Sequence, residues 1–152
     1  MDKIDRKLLG LLQDDADRSL NDLAEAVHLT PTPCWKRIQK MQRDGVIVKK
    51  VVLCDPVKLN LGLTAFVAVR TQQHNEHWLR KFAAAVQAIP EIVEAYRMSG
   101  EIDYMLRVVV SDIQGYDAVY RKLIRAVELF DVSSSFAMER LKYSTALPVD
   151  SA

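Results

Sequence analysis

The 152-residue sequence has few of the residues that interrupt or cross-link a chain, with five glycines, five prolines and two cysteines. Cys34 and Cys54 have neither metal-ligand spacing nor a secretory context, which favours a reducing environment. Near the N-terminus the longest apolar stretch, Leu8 to Leu12, is broken by Gly10 and is too short for a signal-peptide core or a membrane span. We therefore expect a cytoplasmic protein without disulfides.

The sequence also has little net charge, +1, although 27% of its residues are charged and 49% are hydrophobic. This composition is typical of an ordinary globular protein. The charge is unevenly distributed, because the segment from Thr30 to Lys50 has six basic residues against one acidic residue, a balance of +5, which leaves −4 for the remainder. Such a basic segment on an otherwise acidic chain attracts phosphate at one place only.

Clusters of histidine and cysteine are lacking as well, since the three histidines are scattered along the chain. No pattern of a metal site or of a catalytic constellation is recognisable. We therefore expect no enzyme, no metal and no cofactor.

The first third of the chain predicts three helices. Apolar residues recur at helical spacing after Asp2, which is placed to cap a first helix with Asp5, and the box Ser19-x-x-Asp22 opens a second, short helix. The run Thr30-Pro31-Thr32-Pro33 predicts the start of a third helix, because proline is tolerated in a first turn. Gly45 ends it, and the β-branched residues from Val46 to Leu53 predict a strand.

The third helix is predicted to have one buried and one basic face. Cys34, Ile38 and Met41 share the buried side, and Trp35 and Arg37 lie on the flanks. A short helix, a turn and a basic, amide-bearing helix are what reading of the DNA major groove requires. The alternative is a solvated helix face. The candidate DNA-binding residues are Thr32, Trp35, Lys36, Arg37, Gln39, Lys40 and Arg43.

The rest of the chain predicts an α+β fold. Residues 55–62 form a linker, and strand 63–72, helix 76–89, strands 92–98 and 103–110, helix 112–127 and strand 131–143 follow. This order is the ferredoxin-like βαββαβ arrangement. We therefore predict an N-terminal helix-turn-helix (winged-helix-like) DNA-binding domain at 1–54 and a C-terminal ferredoxin-like domain at 63–147. The strand around Tyr104 to Val110 is apolar at successive positions, which predicts that a second subunit covers one sheet face.

Four segments of the sequence resemble motifs of the Lrp/AsnC family of transcriptional regulators. Similar segments are Leu29-Thr30-Pro31-Thr32-Pro33-Cys34 with Arg37, Asp44-Gly45-Val46-Ile47, Ser99-Gly100-Glu101-x-Asp103-Tyr104, and Ser134-Ser135-Phe136 with Lys142. They span nearly the whole chain. The sequence departs from the family at His28, where many members have glycine, and in the loop Glu128-Leu129-Phe130-Asp131, which lacks a glycine.

The resemblance implies a regulator that binds double-stranded DNA sequence-specifically and responds to an amino acid effector through rearrangement of a homo-oligomer. It implies a homodimer that assembles further to a tetramer or octamer, without membrane association. The implied ligand-binding residues are Gly100, Glu101, Asp103, Tyr104, Ser134 and Ser135. By spacing alone, Gly100 and its acidic neighbours are more typical of a plain turn between antiparallel strands, and only the family resemblance favours a ligand site.

Two other functions stay open at this point: a ligand-blind architectural DNA-binding protein, and an amino-acid-binding regulatory subunit of an enzyme. Within the family, Thr-Pro-Cys-Trp-Lys-Arg together with Ser-Ser-Phe-Ala-Met-Glu resembles the subgroup that controls cysteine detoxification. That resemblance makes L-cysteine the first effector to test.

Overall fold

The computed structural model describes residues 1–149 and divides the chain into two compact units. The first unit contains Met1–Leu53 together with residues 141–149, and the second contains Cys54–Arg140. Among the described residues no helix has the length and apolarity needed to cross a membrane.

The first unit contains the three expected helices: α1 (Lys3–Asp14), α2 (Leu20–Ala26) and α3 (Pro31–Arg43). A capping box starts α1, because the Asp2 side chain accepts from the Asp5 backbone and the Asp5 side chain accepts from the Asp2 backbone. The Ser19 hydroxyl caps α2 by accepting from the Asp22 amide. The caps predicted from sequence are thus present.

Two residues with positive φ set the boundaries of α3. His28 lies in the turn between α2 and α3 with φ of 56°, as its position in place of glycine predicts. Gly45 follows the C-cap residue Asp44 with φ of 75° and ends α3. At the other end Thr30 is the N-cap, but its side chain makes no capping hydrogen bond. Since Pro31 and Pro33 have no amide hydrogen, the first turn has fewer donors that need a cap.

A small apolar core joins the three helices. Leu8 and Leu9 of α1, Leu23 and Ala24 of α2, Val27, and Cys34 and Met41 of α3 are buried together. Leu8 and Cys34 are completely inaccessible to solvent. The inward side of α3 is therefore the one that helical periodicity predicted.

The prediction of a strand at Val46 to Leu53 is wrong for the single chain. The segment starts with a bend at Val46 and Ile47 and continues without regular structure or a hydrogen-bonded neighbouring strand, and Val48 and Val52 retain 84% and 87% of their accessible surface. β-branched residues favour extended backbone, but a strand also requires a partner.

The second unit has the predicted βαββαβ order. Its elements are β1 (Leu63–Arg70), α4 (Glu76–Ala88), β2 (Ile92–Arg97), β3 (Tyr104–Val110), α5 (Ile113–Ala126) and β4 (Asp131–Phe136). All pairings are antiparallel in the order β2-β3-β1-β4. Alternate residues of β1 and β3, including Val67, Val69 and Leu106, are buried in one core with Trp78 and Phe82 of α4 and with α5 residues. This is the ferredoxin-like arrangement.

The last strand is shorter than the predicted 131–143. It pairs with β1 only as far as Phe136, opposite Ala65, and one further hydrogen bond joins the Ala137 amide to the Thr64 carbonyl. The register would place Met138 opposite Leu63, the first residue of β1, so residues beyond Met138 have no strand beside which to continue. Residues 141–149 group with the first unit, whereas the sequence predicts a second domain that extends to residue 147.

Candidate nucleic-acid interface and ligand site

The outer side of α3 is a solvent-exposed face of mixed polar and basic character. Thr32, Trp35, Lys36, Gln39, Lys40 and Arg43 are all exposed, and Trp35 retains 50% of its accessible surface. Six of the seven predicted DNA-binding residues therefore lie on one accessible surface, which we call the basic face.

The basic side chains of this face differ in whether an acidic side chain lies close enough to compensate their charge. Asp44 at the end of α3 accepts from the Lys40 ammonium group, and the Arg43 Nε lies 3.5 Å from the other carboxylate oxygen of Asp44. The hydrogen bond from Lys40, followed by its charge and that of Arg43, lowers the pKa of Asp44. Within the described chain Lys36 has no acidic partner. Lys36 is therefore the residue of this face whose charge is least compensated.

Arg37, the seventh predicted residue, is directed toward α1. Its Nη1 atom lies 2.7 Å from Oδ2 of Asp2 and 2.8 Å from Oδ1 of Asp5. These bonds raise the pKa of Arg37, with the larger effect from Asp5, while the Asp5 backbone amide and then the Arg37 guanidinium lower the pKa of Asp2. In the single chain Arg37 thus joins α3 to the N-terminal turn of α1.

Three of the predicted ligand-binding residues lie in the loop between β2 and β3. Gly100 has φ of 107°, which favours glycine, and both Gly100 and Glu101 are exposed. Asp103 closes the loop, since its backbone carbonyl accepts from the Met98 amide and its carboxylate accepts from the Thr71 amide at 2.8 Å. The Asp103 carboxylate is therefore already engaged in holding the end of β1.

Tyr104 and Ser134 face the helices of their own unit. The Tyr104 ring lies 4.5 Å from that of Phe82 and 5.7 Å from that of Trp78, measured between centroids, as part of the core. The Ser134 hydroxyl is hydrogen-bonded to the hydroxyl of Tyr116 on α5. Ser135, the next residue of β4, is exposed and on the opposite face of the sheet.

The sheet register separates the predicted ligand residues into two places. Tyr104 pairs with Val69, at the end of β1 that also receives the Asp103 carboxylate. Ser135 pairs with Phe66, three residues earlier on β1. One chain therefore does not gather all six residues into one pocket. Sequence reasoning missed Thr71 and Tyr116, the partners of two of them, because a backbone amide and a core hydroxyl carry no sequence signal of such pairing.

The sheet face away from the helices is open and partly apolar. Phe66 and Tyr96 retain 43% and 55% of their accessible surface, and Met105 lies between their strands in the register Ala68, Met105, Tyr96. Beside them Arg107 donates to the Glu94 carboxylate, with its Nη2 atom at 2.6 Å, and the Tyr96 hydroxyl donates to the same group. We call this surface the open sheet face.

The remaining candidate chemistry is limited. Cys34 is buried and Cys54 is exposed, and burial raises the pKa of the Cys34 thiol. Among residues 1–149 no group of three or more histidine, cysteine, aspartate or glutamate side chains is arranged to hold a metal ion.

Comparison with known proteins gives matches over both units. The model of the AsnC-type helix-turn-helix domain matches residues 1–42, and that of the Lrp/AsnC ligand binding domain matches residues 64–147. The chain is 52% identical over 151 residues to the DNA-binding transcriptional activator DecR of Escherichia coli K12, covering 99% of each protein.

Solved structures agree with this assignment over the full length. An AsnC family transcriptional regulator from Agrobacterium tumefaciens is 54% identical with a TM-score of 0.96, covering 99% of both chains. A transcriptional regulator from Neisseria meningitidis, solved as a complex with L-Met, is 31% identical with a TM-score of 0.94, covering 99% of this chain and 98% of its own. The chain belongs to the Lrp/AsnC family of DNA-binding transcriptional regulators, with a helix-turn-helix domain and a ligand-binding domain.

Proposed function

We propose that the basic face of α3 reads DNA in the major groove and that the second unit responds to an amino acid. The observation that carries the first part is the contrast between the two sides of α3. Cys34 and Met41 are buried, whereas Thr32, Trp35, Lys36, Gln39, Lys40 and Arg43 are exposed on the other side. Gln39 and the basic side chains have the donors that adenine, guanine and phosphate accept.

Arg37 has a different role from the exposed residues of the basic face. It holds the N-terminal turn of α1 through Asp2 and Asp5, so it contributes chiefly by keeping α3 in position. Its guanidinium is one-third exposed and remains close enough to solvent for an additional phosphate contact.

A Lys36→Ala variant tests the basic face. Binding is measured by fluorescence anisotropy at several salt concentrations on genomic duplexes selected with the wild-type protein. We expect weaker binding and a salt-dependence slope reduced by about 0.9, the value for one lost phosphate contact. The matched control is Lys81→Ala, which removes an exposed lysine from α4 in the second unit. Wild-type affinity and slope for Lys36→Ala would contradict the proposal.

We infer that the loop around Gly100 to Asp103 contributes the ammonium-binding side of the effector site. The loop has an exposed glycine with positive φ, which lets a ligand approach the backbone, and two carboxylates close by. The complex of the Neisseria relative with L-Met supports an amino acid as the effector class. Within that class L-cysteine is the first candidate, because of the resemblance of the Thr-Pro-Cys-Trp-Lys-Arg segment to the cysteine-detoxification subgroup.

The Asp103→Asn variant separates the structural from the ligand-binding role of this carboxylate. Asparagine still accepts a hydrogen bond from the Thr71 amide, so the loop should stay closed, but the negative charge is lost. We expect isothermal titration with the twenty amino acids, starting with L-cysteine and L-methionine, to detect binding to the wild type. We expect at least tenfold weaker binding to Asp103→Asn, since a charge-assisted hydrogen bond is about twice as strong as a neutral one.

The control for that experiment is Asp112→Asn at the N-cap of α5. Its carboxylate also accepts from a backbone amide, that of Gly115 at 2.8 Å, at a helix start instead of in the loop. Equal ligand affinity for Asp103→Asn and wild type would remove Asp103 from the site. No heat with any of the twenty amino acids would favour a ligand-blind regulator.

We also propose that the open sheet face is covered by a second copy, which makes a homodimer the basic assembly and allows tetramers or octamers. An open sheet face with Phe66, Tyr96 and Met105 is the kind of surface that subunit contacts bury. Contacts between copies would also bring ligand-binding residues of different chains together. A single site from Asp103 and Ser135 needs such contacts, because these residues lie apart in one chain.

A further inference from the structure

After β4 and the end of the second unit at Arg140, residues 141–149 belong to the DNA-binding unit. At Leu147 its backbone forms a reciprocal pair with the side chain of Gln13 near the end of α1. The Leu147 amide donates to the Gln13 Oε1 at 2.7 Å, and the Gln13 Nε2 donates to the Leu147 carbonyl at 3.1 Å. The Gln13 side chain thus satisfies both polar backbone groups of one tail residue, as a neighbouring strand would.

Two residues later the tail reaches the apolar core of the same unit. Val149 is half-buried and packs against the cluster that contains Leu8, Leu9, Cys34 and Met41. Met138, earlier in the chain after β4, retains 96% of its accessible surface. Leu147 and Val149 thus both contact the first unit, and we call residues 145–149 the strap.

The strap lies behind the recognition helix. Together with α1 and segment 46–53 it encloses an open groove of about 540 Å³. The lining includes Leu9 and Leu12 of α1, Ile38 of α3, and Leu147 and Pro148 of the strap. Ile38 belongs to the inward side of α3, opposite the basic face, so the strap is placed to support α3 without covering its DNA-contacting side chains.

We propose that the strap is a positioning element for DNA binding: it holds α1 against the inner side of α3 and keeps the recognition helix in its binding-competent arrangement. The unit has a small core of three short helices, in which one further apolar residue and two further hydrogen bonds are a substantial addition. This inference rests on the proposed role of the basic face, which the Lys36→Ala experiment tests separately.

Release of the strap should lower the DNA affinity without changing its salt dependence. If release of the strap lowers the fraction of molecules with a well-placed α3, the apparent affinity falls by that fraction. The number of phosphate contacts in the bound state stays the same, so the slope of log affinity against log salt is unchanged. A lost phosphate contact would change both quantities.

The test uses two full-length variants, Val149→Asp and Gln13→Glu. The first puts a charge where the strap meets the core, and the second removes the donor to the Leu147 carbonyl while keeping the acceptor for its amide. The control, Met138→Asp, makes the same kind of apolar-to-acidic change at an exposed position of the chain after β4. Hydrogen exchange measured by mass spectrometry reports on each helix, and anisotropy titrations report DNA affinity and its salt slope.

We expect both strap variants to exchange about three- to tenfold faster in α1 and α3, with β1 and β3 unchanged, because removing one net hydrogen bond has an effect of that size. DNA affinity should fall by a similar factor with an unchanged salt slope, and Met138→Asp should match the wild type in all three measurements. In the double variant, Gln13→Glu should add little to Val149→Asp, since both release the same contact.

Three results would overturn the inference. Unchanged exchange in α1 and α3 would show that the strap does not support them, and faster exchange with unchanged DNA affinity would show that its support is irrelevant to binding. A salt slope that falls with the affinity would mean that the strap variants remove a phosphate contact. None of these results depends on whether an amino acid binds the second unit, and the exchange measurement does not depend on the basic face.

Discussion

At the scale of single residues, the helix-turn-helix depends on two positions where the backbone has positive φ. Gly45 has φ of 75° directly after α3, and His28 has φ of 56° in the turn before it. Glycine adopts this conformation without strain, whereas a residue with a Cβ atom does so at a cost of about 1–2 kcal/mol. The sequence marks both positions, the first by glycine and the second by its place in the turn.

A comparison of two glycines tests this point. Gly45→Ala should lower the free energy of unfolding by about 1 kcal/mol, because alanine must adopt the left-handed conformation. Gly10→Ala should instead raise it by about 0.5–1 kcal/mol, since Gly10 lies within α1 with nothing within 4 Å of an added Cβ atom. Urea denaturation of the two variants measures both effects. A stabilising Gly45→Ala change would contradict the assigned role.

At the scale of the elements, the contact between α1 and α3 contains an ion cluster of Arg37 with Asp2 and Asp5. The sequence alone does not decide whether Arg37 joins this cluster or contacts DNA. Arg37 lies on the flank of α3, where periodicity alone allows either DNA or a neighbouring helix as its partner. In the structure it binds Asp2 and Asp5. The choice is made by the packing of α1 against α3, which brings the capping box of α1 within reach.

This ion cluster predicts a pH-dependent contribution to stability. The pKa of Asp2 is lowered below its ordinary value of 3.8, first by the Asp5 backbone amide and then by Arg37. A carboxylate with a depressed pKa stabilises the fold above its unfolded pKa, and this contribution is lost as the pH falls through the folded pKa. Asp2→Asn keeps a good N-cap but removes the charge. We expect wild type to be more stable than Asp2→Asn above about pH 4, with the difference shrinking below it.

Thermal unfolding at pH values from 6 to about 2.5 measures that difference. The same substitution in an Arg37→Met background is the control, because only the contribution from the ion pair should disappear there. A difference that is independent of pH would show that the Asp2 charge does not contribute to the stability of α1 and α3.

At the scale of the whole molecule, the ferredoxin-like unit has a sheet face that its own helices leave open. The sequence predicted this from successive apolar residues in the strand from Tyr104 to Val110, and the structure places Met105, Arg107 and Val109 on the open side. Phe66, opposite Arg107 in the register, is the largest apolar side chain of β1 on that side.

A charge at Phe66 tests the proposed assembly. Phe66→Glu should shift the protein toward monomers in analytical ultracentrifugation, since it places a carboxylate in the apolar part of the proposed contact. Leu79→Glu is the control, as Leu79 on α4 has a comparable exposure, 38% against 43% for Phe66. An unchanged sedimentation coefficient for Phe66→Glu would exclude the open sheet face as the subunit contact.

The sequence by itself determined the order of elements, the caps of α1 and α2, the buried and basic sides of α3 and the family. These features depend on short-range spacing, because capping, helical periodicity and turn residues act within a few positions. Only the tertiary structure decided that Arg37 binds α1, that Ser134 pairs with Tyr116, that Asp103 holds Thr71 and that Val46 to Leu53 lacks a strand partner.

The strap is also a feature that only the tertiary structure decided. Nothing in the spacing of residues 145–149 distinguishes them from a continuation of the second domain, because their partners, Gln13 and the core around Leu8, are more than 130 positions away. A contact of that sequence separation is set by how the folded chain returns to its first unit. The basic face of α3 could thus be predicted from the sequence, whereas its support from behind became visible only in the tertiary structure.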